Sequence, residues 1–480
     1  MYMVSLEDLT AGFPEPRRIA ASDVRRAIET AGLAQVLVVL DDDPTGTQSV
    51  AGLPVLTGWE DDDLRWAFAQ SAPAVYVMTN SRSLAPDTAE EVTREVVTTA
   101  ARVAGEMGVD VVFVSRSDST LRGHFPLETN VIADAGGHAI DGFIVIPAFD
   151  EAGRVTVGGV HYCRVGDSYT PVGETEFAKD ATFGYRASSM ADWVEEKTEG
   201  AVAAADVVTI GLDALRTDPE AVLATVMGLR DGAVLTSDIV TEEDLRALSL
   251  ALIAAEGAGK RFVYRVGPPF VRARIGQDKH APLSTAEIDD ARVWAGAPQR
   301  TSLPHGLVVV GSHVGVTQRQ LAHLKENVSA TVLEIDVAKV IDEAQRAAHL
   351  DDIIARAVRM LPTDSVIVQT SRKLVTGAEG HSSLAISRDV SAAVVAVVQG
   401  ILAQVGPAFV LAKGGITSSD VASKGLGIRH GRAVGPMLLG IVSLWMAQDG
   451  PARGIPYIVF PGNVGDDTSL TAVVAKLQGE

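Results

Sequence analysis

Three adjacent aspartates, Asp41, Asp42 and Asp43, follow five apolar residues in the stretch VLVVLDDDPTGTQ. Adjacent carboxylates repel one another, so a chain keeps three of them at the end of a buried segment only where something offsets their charge. A metal ion, the hydroxyls of a sugar or a phosphoryl group in transit would each do so. One of these carboxylates is also suited to accept a proton from an attacking hydroxyl.

Arginines follow two later apolar runs in the same way. Arg82 lies in TNSRS, and Arg116 and Arg122 lie in SRSDSTLRGH. A guanidinium binds a carboxylate through two parallel hydrogen bonds, so these three side chains are candidates for clamping an acid. The neighbouring polar residues are candidates for binding hydroxyls, namely Asp42, Asp43, Asp118 and Ser119. Together they predict a site for a polyhydroxy acid.

The second half of the chain carries a Gly-Gly turn in LAKGGITSSD. Gly414 and Gly415 permit positive φ and a close approach of the backbone to a ligand. The spacing of Thr417 and Asp420 predicts a capping box and hence a helix start. Because helix N-termini present free N–H groups to phosphate, this turn is a candidate anion site.

A second turn of this kind lies in GSHVGVTQRQ. Gly311 and Ser312 are followed by Thr317 and Gln320, which again have capping-box spacing. Two such turns in one domain suit the phosphates and ribose of a nucleotide, although each alone is also typical of an ordinary capped turn.

The elements that position these residues are predicted from an alternation of short Val/Ile-rich runs with longer Ala/Leu/Glu-rich stretches. This alternation is typical of parallel sheets covered by helices. Polar, Gly-rich groups follow the strands repeatedly, and open parallel sheets bind ligands at that edge. The apolar runs lie at residues 36–40, 74–78, 109–114, 142–146, 205–210, 232–236, 261–266, 306–310, 330–335, 364–369, 408–412 and 457–460.

The alternation breaks in residues 267–304, which are rich in Pro, Gly and charge. We therefore predict an α/β protein of two domains, residues 1–266 and 305–480, joined by this boundary segment. Each domain is expected to have a largely parallel sheet, with the βα loops of both facing a shared cleft.

Composition narrows the class of protein. The formal charge of −20 argues against binding a nucleic-acid backbone. The single cysteine, Cys163, cannot form an internal disulfide. The sequence has no apolar run long enough to cross a bilayer and no signal-peptide pattern at its start. A cytoplasmic protein is the expectation, a homo-oligomer is possible, and the scattered histidines suggest no metal site.

Six motifs in order resemble the four-carbon acid sugar kinases, which phosphorylate tetronate-type acids with ATP. The resemblance covers nearly the whole chain. The motifs are Asp42-Asp43-Pro44-Thr45-Gly46, Ser81-Arg82, RSDSTLRG at 116–123, Gly311-Ser312, Gly414 to Thr417, and Gly462 to Gly465.

The resemblance implies that the amino-terminal domain holds the acid sugar and the carboxyl-terminal domain holds ATP with Mg²⁺. It implies acid-sugar contacts from Asp43, Arg82, Arg116, Ser117, Asp118 and Ser119. It implies ATP contacts from Ser312, Gly414, Gly415, Ile416, Thr417 and Gly462. Asp43, or else Asp42, is then the catalytic carboxylate, whereas Asp41 is expected to be structural and held by backbone N–H groups.

Three positions depart from the family pattern. Arg116 replaces a lysine, Pro44 replaces an aromatic residue, and Ile416 stands where many members have an acid. An acid at that position would help to hold Mg²⁺, so the metal ligands of this chain are unknown. The candidates in its place are Asp420, Asp466 and Asp467.

Two other functions remain open from the sequence. Asp41-x-Asp43 after an apolar strand also fits the first motif of haloacid-dehalogenase-type phosphatases, in which the first Asp is a nucleophile. A non-catalytic sugar-acid-binding protein is the third possibility. ADP formation that depends on an acid sugar would favour the kinase, whereas phosphate release from sugar phosphates without ATP would favour the phosphatase.

Overall fold

The computed structural model describes residues 4–295, 305–312, 314–371, 383–462 and 464–479. These residues form helices and strands in alternation, and most of the strands are parallel, which confirms the predicted α/β class. No helix within the described ranges is both long enough and apolar enough to cross a membrane.

The chain divides into two compact units. The first comprises Met1–Pro54 and Gly58–Lys279, and the second comprises Val55–Thr57 and His280–Glu480. The division after Lys279 lies inside the predicted boundary segment, of which residues 296–304 are outside the described part. The first unit extends past residue 266 because the helix Pro268–Arg274 is buried throughout and is tied to the rest of the unit by ion pairs of Arg272.

The strands of the first unit occupy the predicted runs and several further segments. They are β1 (Val36–Asp41), β2 (Leu53–Leu56, which straddles the division), β3 (Ala74–Met78), β4 (Val111–Arg116), β5 (Gly142–Ile146), β6 (Arg154–Val157), β7 (Val160–Val165), β8 (Ser168–Pro171), β9 (Val208–Ile210), β10 (Ala233–Ser237) and β11 (Phe262–Val266).

Seven of these strands are parallel neighbours in the order β3-β1-β4-β11-β5-β10-β9. Their Val- and Ile-rich sequences suit strands that are covered on both faces. In β1, for example, Leu37 to Leu40 are all at most 5% exposed. The three short strands β6, β7 and β8 form a separate antiparallel sheet that the apolar pattern did not predict.

The helices of the first unit are α1 (Leu6–Thr10), α2 (Ala21–Thr30), α3 (Asp61–Ala69), α4 (Pro86–Met107), α5 (Leu127–Ala135), α6 (Met190–Lys197), α7 (Leu212–Thr217), α8 (Pro219–Met227), α9 (Glu242–Gly257) and α10 (Pro268–Arg274). Helix α4 illustrates the sequence features that favour these helices. Pro86 occupies its first position, Gly108 ends it with a φ of 67°, and its buried residues recur at helical spacing.

The strands of the second unit are β12 (Leu307–Val310), β13 (Ala330–Ile335), β14 (Ser365–Thr370), β15 (Val410–Lys413), β16 (His430–Leu438), β17 (Val442–Ala447) and β18 (Pro456–Phe460). Their order is β13-β14-β12-β15-β18-β17-β16. The first five are parallel, whereas β17 is antiparallel to both of its neighbours. The strands β16 and β17 were not predicted.

The helices of the second unit are α11 (Thr285–Trp294), α12 (Gly315–Asn327), α13 (Val337–Ile341), α14 (Glu343–Met360), α15 (Ser383–Leu402), α16 (Gly415–Asp420) and α17 (Ser469–Gln478). A buried apolar cluster joins α12 and α17 to the sheet and includes Leu321, Leu324, Val473 and Ile458. This packing fixes the start of α12 beside the ends of the parallel strands.

Candidate functional site

The three aspartates lie at the carboxyl end of β1, where the two neighbouring strands also end. Asp41 is opposite Met78 of β3 and Arg116 of β4 in the strand register. The side chains differ in exposure, which is 0% for Asp41, 2% for Asp42 and 18% for Asp43. Of the three carboxylates, that of Asp43 is therefore the most accessible to a ligand.

Arg116 offsets the charge of the two buried aspartates. Its guanidinium is ion-paired with Asp41 and lies 3.4 Å from Asp42 Oδ1. It also donates a hydrogen bond to the backbone carbonyl of Asp43. Burial lowers the pKa of Arg116 to about 9. The prediction that Asp41 is structural fits its burial, but its carboxylate is held by Arg116 rather than by backbone N–H groups.

Arg82 and Arg122 form ion pairs with the two more accessible acids, Asp43 and Asp118. Arg82 lies in a 3-10 turn after β3 and is ion-paired with Asp43, and its Nη1 lies 3.6 Å from Asp118 Oδ1. Arg122 Nε donates to Asp118 Oδ2 at 2.7 Å. Burial by itself would raise the pKa of Asp118, but Arg82 and Arg122 hold that pKa well below its usual range. The four side chains form one charged network.

Burial shifts the pKa of Asp42. Burial raises the pKa of Asp42 to about 8, which outweighs the lowering effect of Arg82, and Glu128, Asp43 and Asp118 raise it further. This rise in pKa favours the protonated form of Asp42, which can donate a hydrogen bond as well as accept one.

The loop after β4 is held by hydrogen bonds from outside it. His161 Nε2 donates to the carbonyl of Ser119 at 2.8 Å, and Tyr185 Oη donates to the carbonyl of Thr120 at 2.6 Å. Ser117 and Ser119 are 2% and 7% exposed. This support gives the loop that carries Asp118 and Arg122 a fixed shape.

In the second unit, the loops after β12, β15 and β18 meet. The N–H of Gly414 donates to the carbonyl of Phe460 at 2.9 Å. An added Cβ at Gly414, which has a φ of 122°, would lie 3.3 Å from Ser312 Cβ, and one at Gly462 would lie 2.8 Å from Ser312 Oγ. The structure thus brings together Ser312, Gly414 and Gly462, which the sequence placed far apart.

The predicted capping boxes are wrong. Helix α12 begins at Gly315 and α16 at Gly415, so Thr317 and Thr417 are third residues of their helices rather than caps. Thr317 Oγ1 instead donates to the carbonyl of Gly462 at 2.8 Å and lies 3.2 Å from Ser312 Oγ. The hydroxyl joins two loops because the helix starts three residues earlier than the spacing indicated. Ile416 is the second residue of α16, and its side chain lies outside the described part.

Two buried cationic residues at strand ends, Lys413 and Arg265, were not among the predicted site residues. Lys413 is fully buried, donates from Nζ to the carbonyl of Pro461 at 2.8 Å and lies 4.0 Å from the ring centroid of Phe460. Burial lowers its pKa to about 7. Arg265 lies in β11 of the first unit. The only signal for either was a charge at the end of an apolar run, as in FVLAKGG and RFVYRV.

The three candidate Mg²⁺ ligands are engaged in other contacts. Asp420 Oδ1 is 2.8 Å from Lys424 Nζ, and Asp467 Oδ1 is 2.8 Å from Arg319 Nε. Asp466 accepts hydrogen bonds from residues at the start of α17. Within the described residues of the second unit, no three acids lie within ligand distance of one another.

The two halves of the chain match two family models. Residues 37–274 match a sugar-binding N-terminal domain, and residues 307–470 match a nucleotide-binding C-terminal domain. The second match covers the three loops that meet around Ser312. The first covers the charged network.

Two curated relatives are similar in sequence. A D-erythronate kinase from Heliobacterium modesticaldum is 26% identical over 346 residues, which cover 69% of this chain and 70% of the relative. A D-threonate kinase from Cupriavidus necator is 29% identical over 239 residues, which cover 49% of each chain.

Two solved structures share the fold. A protein from Salmonella typhimurium LT2 has a TM-score of 0.66 at 17% identity, with 91% of this chain and 98% of that chain covered. Haemophilus influenzae protein HI1011 has a TM-score of 0.58 at 17% identity, with the same coverage. At such identities the likeness concerns the fold alone.

Proposed function

The chain belongs to the four-carbon acid sugar kinase family, and from this premise we propose that it transfers the γ-phosphoryl group of ATP to a hydroxyl of a four-carbon sugar acid. A tetronate or a 3-oxo-tetronate is the proposed acceptor. The first unit binds the acid sugar, and the second binds ATP.

This proposal rests mainly on the difference in burial between Asp41, Asp42 and Asp43. Phosphoryl transfer needs a positioned hydroxyl, and a carboxylate that accepts its proton must be reachable. Asp43 meets this condition, because its side chain is 18% exposed and is oriented by Arg82. Burial raises the pKa of Asp42 and favours its protonated form, which is suited to hydrogen-bond a substrate hydroxyl rather than to accept a proton.

The other residues of the first unit that were predicted to bind the acid sugar differ in how exposed they are. Arg82, Asp118 and Arg122 line the accessible part of the network and contact the acid sugar. Arg116, Ser117 and Ser119 are also proposed to contact the acid sugar, although they are more deeply buried.

The second unit binds ATP through the loops that meet around Ser312. Gly414 and Gly462 leave the space beside Ser312 without side chains, which lets backbone groups approach phosphate closely. The residues proposed to contact ATP are Ser312, Gly414, Gly415, Ile416, Thr417 and Gly462. Mg²⁺ is proposed to accompany ATP and to be held mainly by phosphate oxygens and water, as is common for this ion.

The burial of Asp41 argues against the phosphatase alternative. A nucleophilic carboxylate must reach the phosphorus atom, whereas the Asp41 side chain is fully buried and ion-paired with Arg116. The chemistry that this alternative assigns to the first aspartate is therefore unsuited to its surroundings.

A panel assay tests the proposal. The protein is incubated with ATP, Mg²⁺ and each of a set of aldonic and 3-oxo acids that includes D-erythronate and D-threonate, and ADP is measured. ADP formation that requires one of these acids is the expected result. Phosphate release from sugar phosphates without ATP, with no acid-dependent ADP, would overturn the proposal.

A further inference from the structure

Arg265 is a fourth arginine beside the charged network, and it lies near the carboxyl end of the central strand β11. It is opposite Ser115 of β4 in the strand register, one residue before the position opposite Arg116. The side chain is only 6% exposed. A cation at such depth is costly unless an anion lies beside it.

The three other arginines at this edge of the sheet already have such anions. Arg116 is paired with Asp41, Arg82 with Asp43, and Arg122 with Asp118. Arg265 has no carboxylate within 4.0 Å among the described residues. Its acidic neighbours act from farther away, and these are Glu128, Asp42 and Asp118.

The contacts that Arg265 does make are neutral. Its guanidinium lies 5.4 Å from the ring centroid of Phe125 and 5.6 Å from that of Trp193, and these two rings are stacked on each other. Nη2 donates to the carbonyl of Arg122 at 3.2 Å, and Nε is buried with no hydrogen-bond partner. The aromatic rings fix the position of the guanidinium without neutralising its charge.

Arg265 borders the same space as Asp42. Gly123 has a φ of 113°, and an added Cβ there would lie 3.2 Å from Asp42 Oδ2 and 3.6 Å from Arg265 Nη2. The two groups face this space without forming an ion pair, because no carboxylate oxygen of Asp42 lies within 4.0 Å of the guanidinium. The guanidinium therefore lies beside a carboxyl group that can bind a hydroxyl.

We infer that Arg265 binds the carboxylate of the acid sugar and thereby selects acids over neutral polyols, an inference that rests on the proposed function. A substrate carboxylate would supply the missing anion, and the guanidinium fork suits it geometrically. The hydroxyls would then extend toward Asp42 and Asp43.

The test compares Arg265→Met, Arg265→Lys and the wild type by calorimetric titration with D-erythronate and D-threonate, without ATP. Loss of a charge-assisted contact of this kind weakens binding by about tenfold to a hundredfold. We expect that loss in Arg265→Met and a partial recovery in Arg265→Lys, which keeps the charge. Arg261→Met is the matched control, because Arg261 precedes the same strand at its other end and is exposed; its affinity should equal that of the wild type.

Kinetics supply the second readout. The preference for the acid over erythritol or threitol, expressed as a ratio of kcat/KM values, should fall in Arg265→Met, and the KM for ATP should stay constant. Unchanged acid affinity in a variant with native circular dichroism would overturn the inference. Should Arg265→Met not fold, unchanged affinity in Arg265→Lys would do the same. A wild type that binds these acids through Arg265 but forms no ADP would instead overturn the proposed function alone.

Discussion

Arg116 and Asp41 form an ion pair across the ends of β4 and β1, with side chains only 2% and 0% exposed. Arg116 lies in the loop motif that carries Asp118, and Asp41 begins the acidic stretch that carries Asp43. The pair therefore fixes the two loops of the proposed acid-sugar site relative to each other.

Breaking this pair should destabilise the protein. Asp41→Asn leaves a buried guanidinium without its closest anion, which typically costs about 3–5 kcal/mol. The thermal midpoint should fall clearly, and the double variant Asp41→Asn/Arg116→Met should lose less than the sum of the single variants. Glu106→Gln is the control, because its ion pair with Arg65 lies at the surface, where solvent screens the charges, and its loss should change stability little. Equal midpoints for Asp41→Asn and Glu106→Gln would contradict the prediction.

Asp43→Asn should remove the proton acceptor while it preserves the size of the side chain. General-base catalysis typically contributes about two to four decades, so kcat should fall by that amount. The KM values for acid sugar and ATP should change much less. The exposed Asp62→Asn provides a control for the loss of one acid from the same unit. Near-normal turnover in folded Asp43→Asn would show that another group accepts the proton.

Thr317→Val should weaken ATP binding selectively. The substitution keeps the shape of the side chain but removes the hydrogen bond to the carbonyl of Gly462 and the contact with Ser312. A net loss of about 0.5–1.5 kcal/mol corresponds to a rise of roughly two- to tenfold in the KM for ATP. The KM for the acid sugar should stay constant, and Thr317→Ser should retain most of the affinity. Thr331→Val, which removes a hydroxyl contact in β13, serves as the control. A similar effect in both Val variants would mean that the loss is one of general stability.

Lys413 should make the stability of the protein depend on pH. Its pKa is about 7 in the folded protein and 10.5 when unperturbed, because burial disfavours the charged form. Between these values the unfolded chain binds more protons, so the unfolding free energy contributed by this group rises with pH, by at most about 1.4 kcal/mol per unit. The free energy of unfolding of Lys413→Met minus that of the wild type should therefore fall from pH 7 to pH 10. Denaturant titrations at several pH values measure it, and a constant difference would count against a depressed pKa.

The fold class followed from patterns that are local in the chain. A run such as VLVVL can bury its side chains on both faces of a sheet, and the recurrence of such runs indicated parallel strands. The strands β6 to β8 were missed because they are short and polar, and their pairing depends on neighbours rather than on apolar content. The helix starts at Gly315 and Gly415 were misplaced because the backbone conformation of the preceding loops, rather than the spacing of Thr and an acid, decides where a helix begins. The arrangement of the two units around one cleft stays a prediction.

The sequence by itself determined which groups are present at the sheet edge. It placed Asp41 to Asp43, Arg82 and the loop from Arg116 to Arg122 after strands, and parallel strands bring such loops to one edge. Only the tertiary structure decided what each group does there. Burial depends on atoms from distant segments, so three adjacent aspartates became a buried ion-pair partner, a buried acid with a raised pKa and an accessible carboxylate. For the same reason Arg265, one residue among several in the run RFVYRV, is left as a buried cation with no carboxylate within 4.0 Å in the described part of the chain.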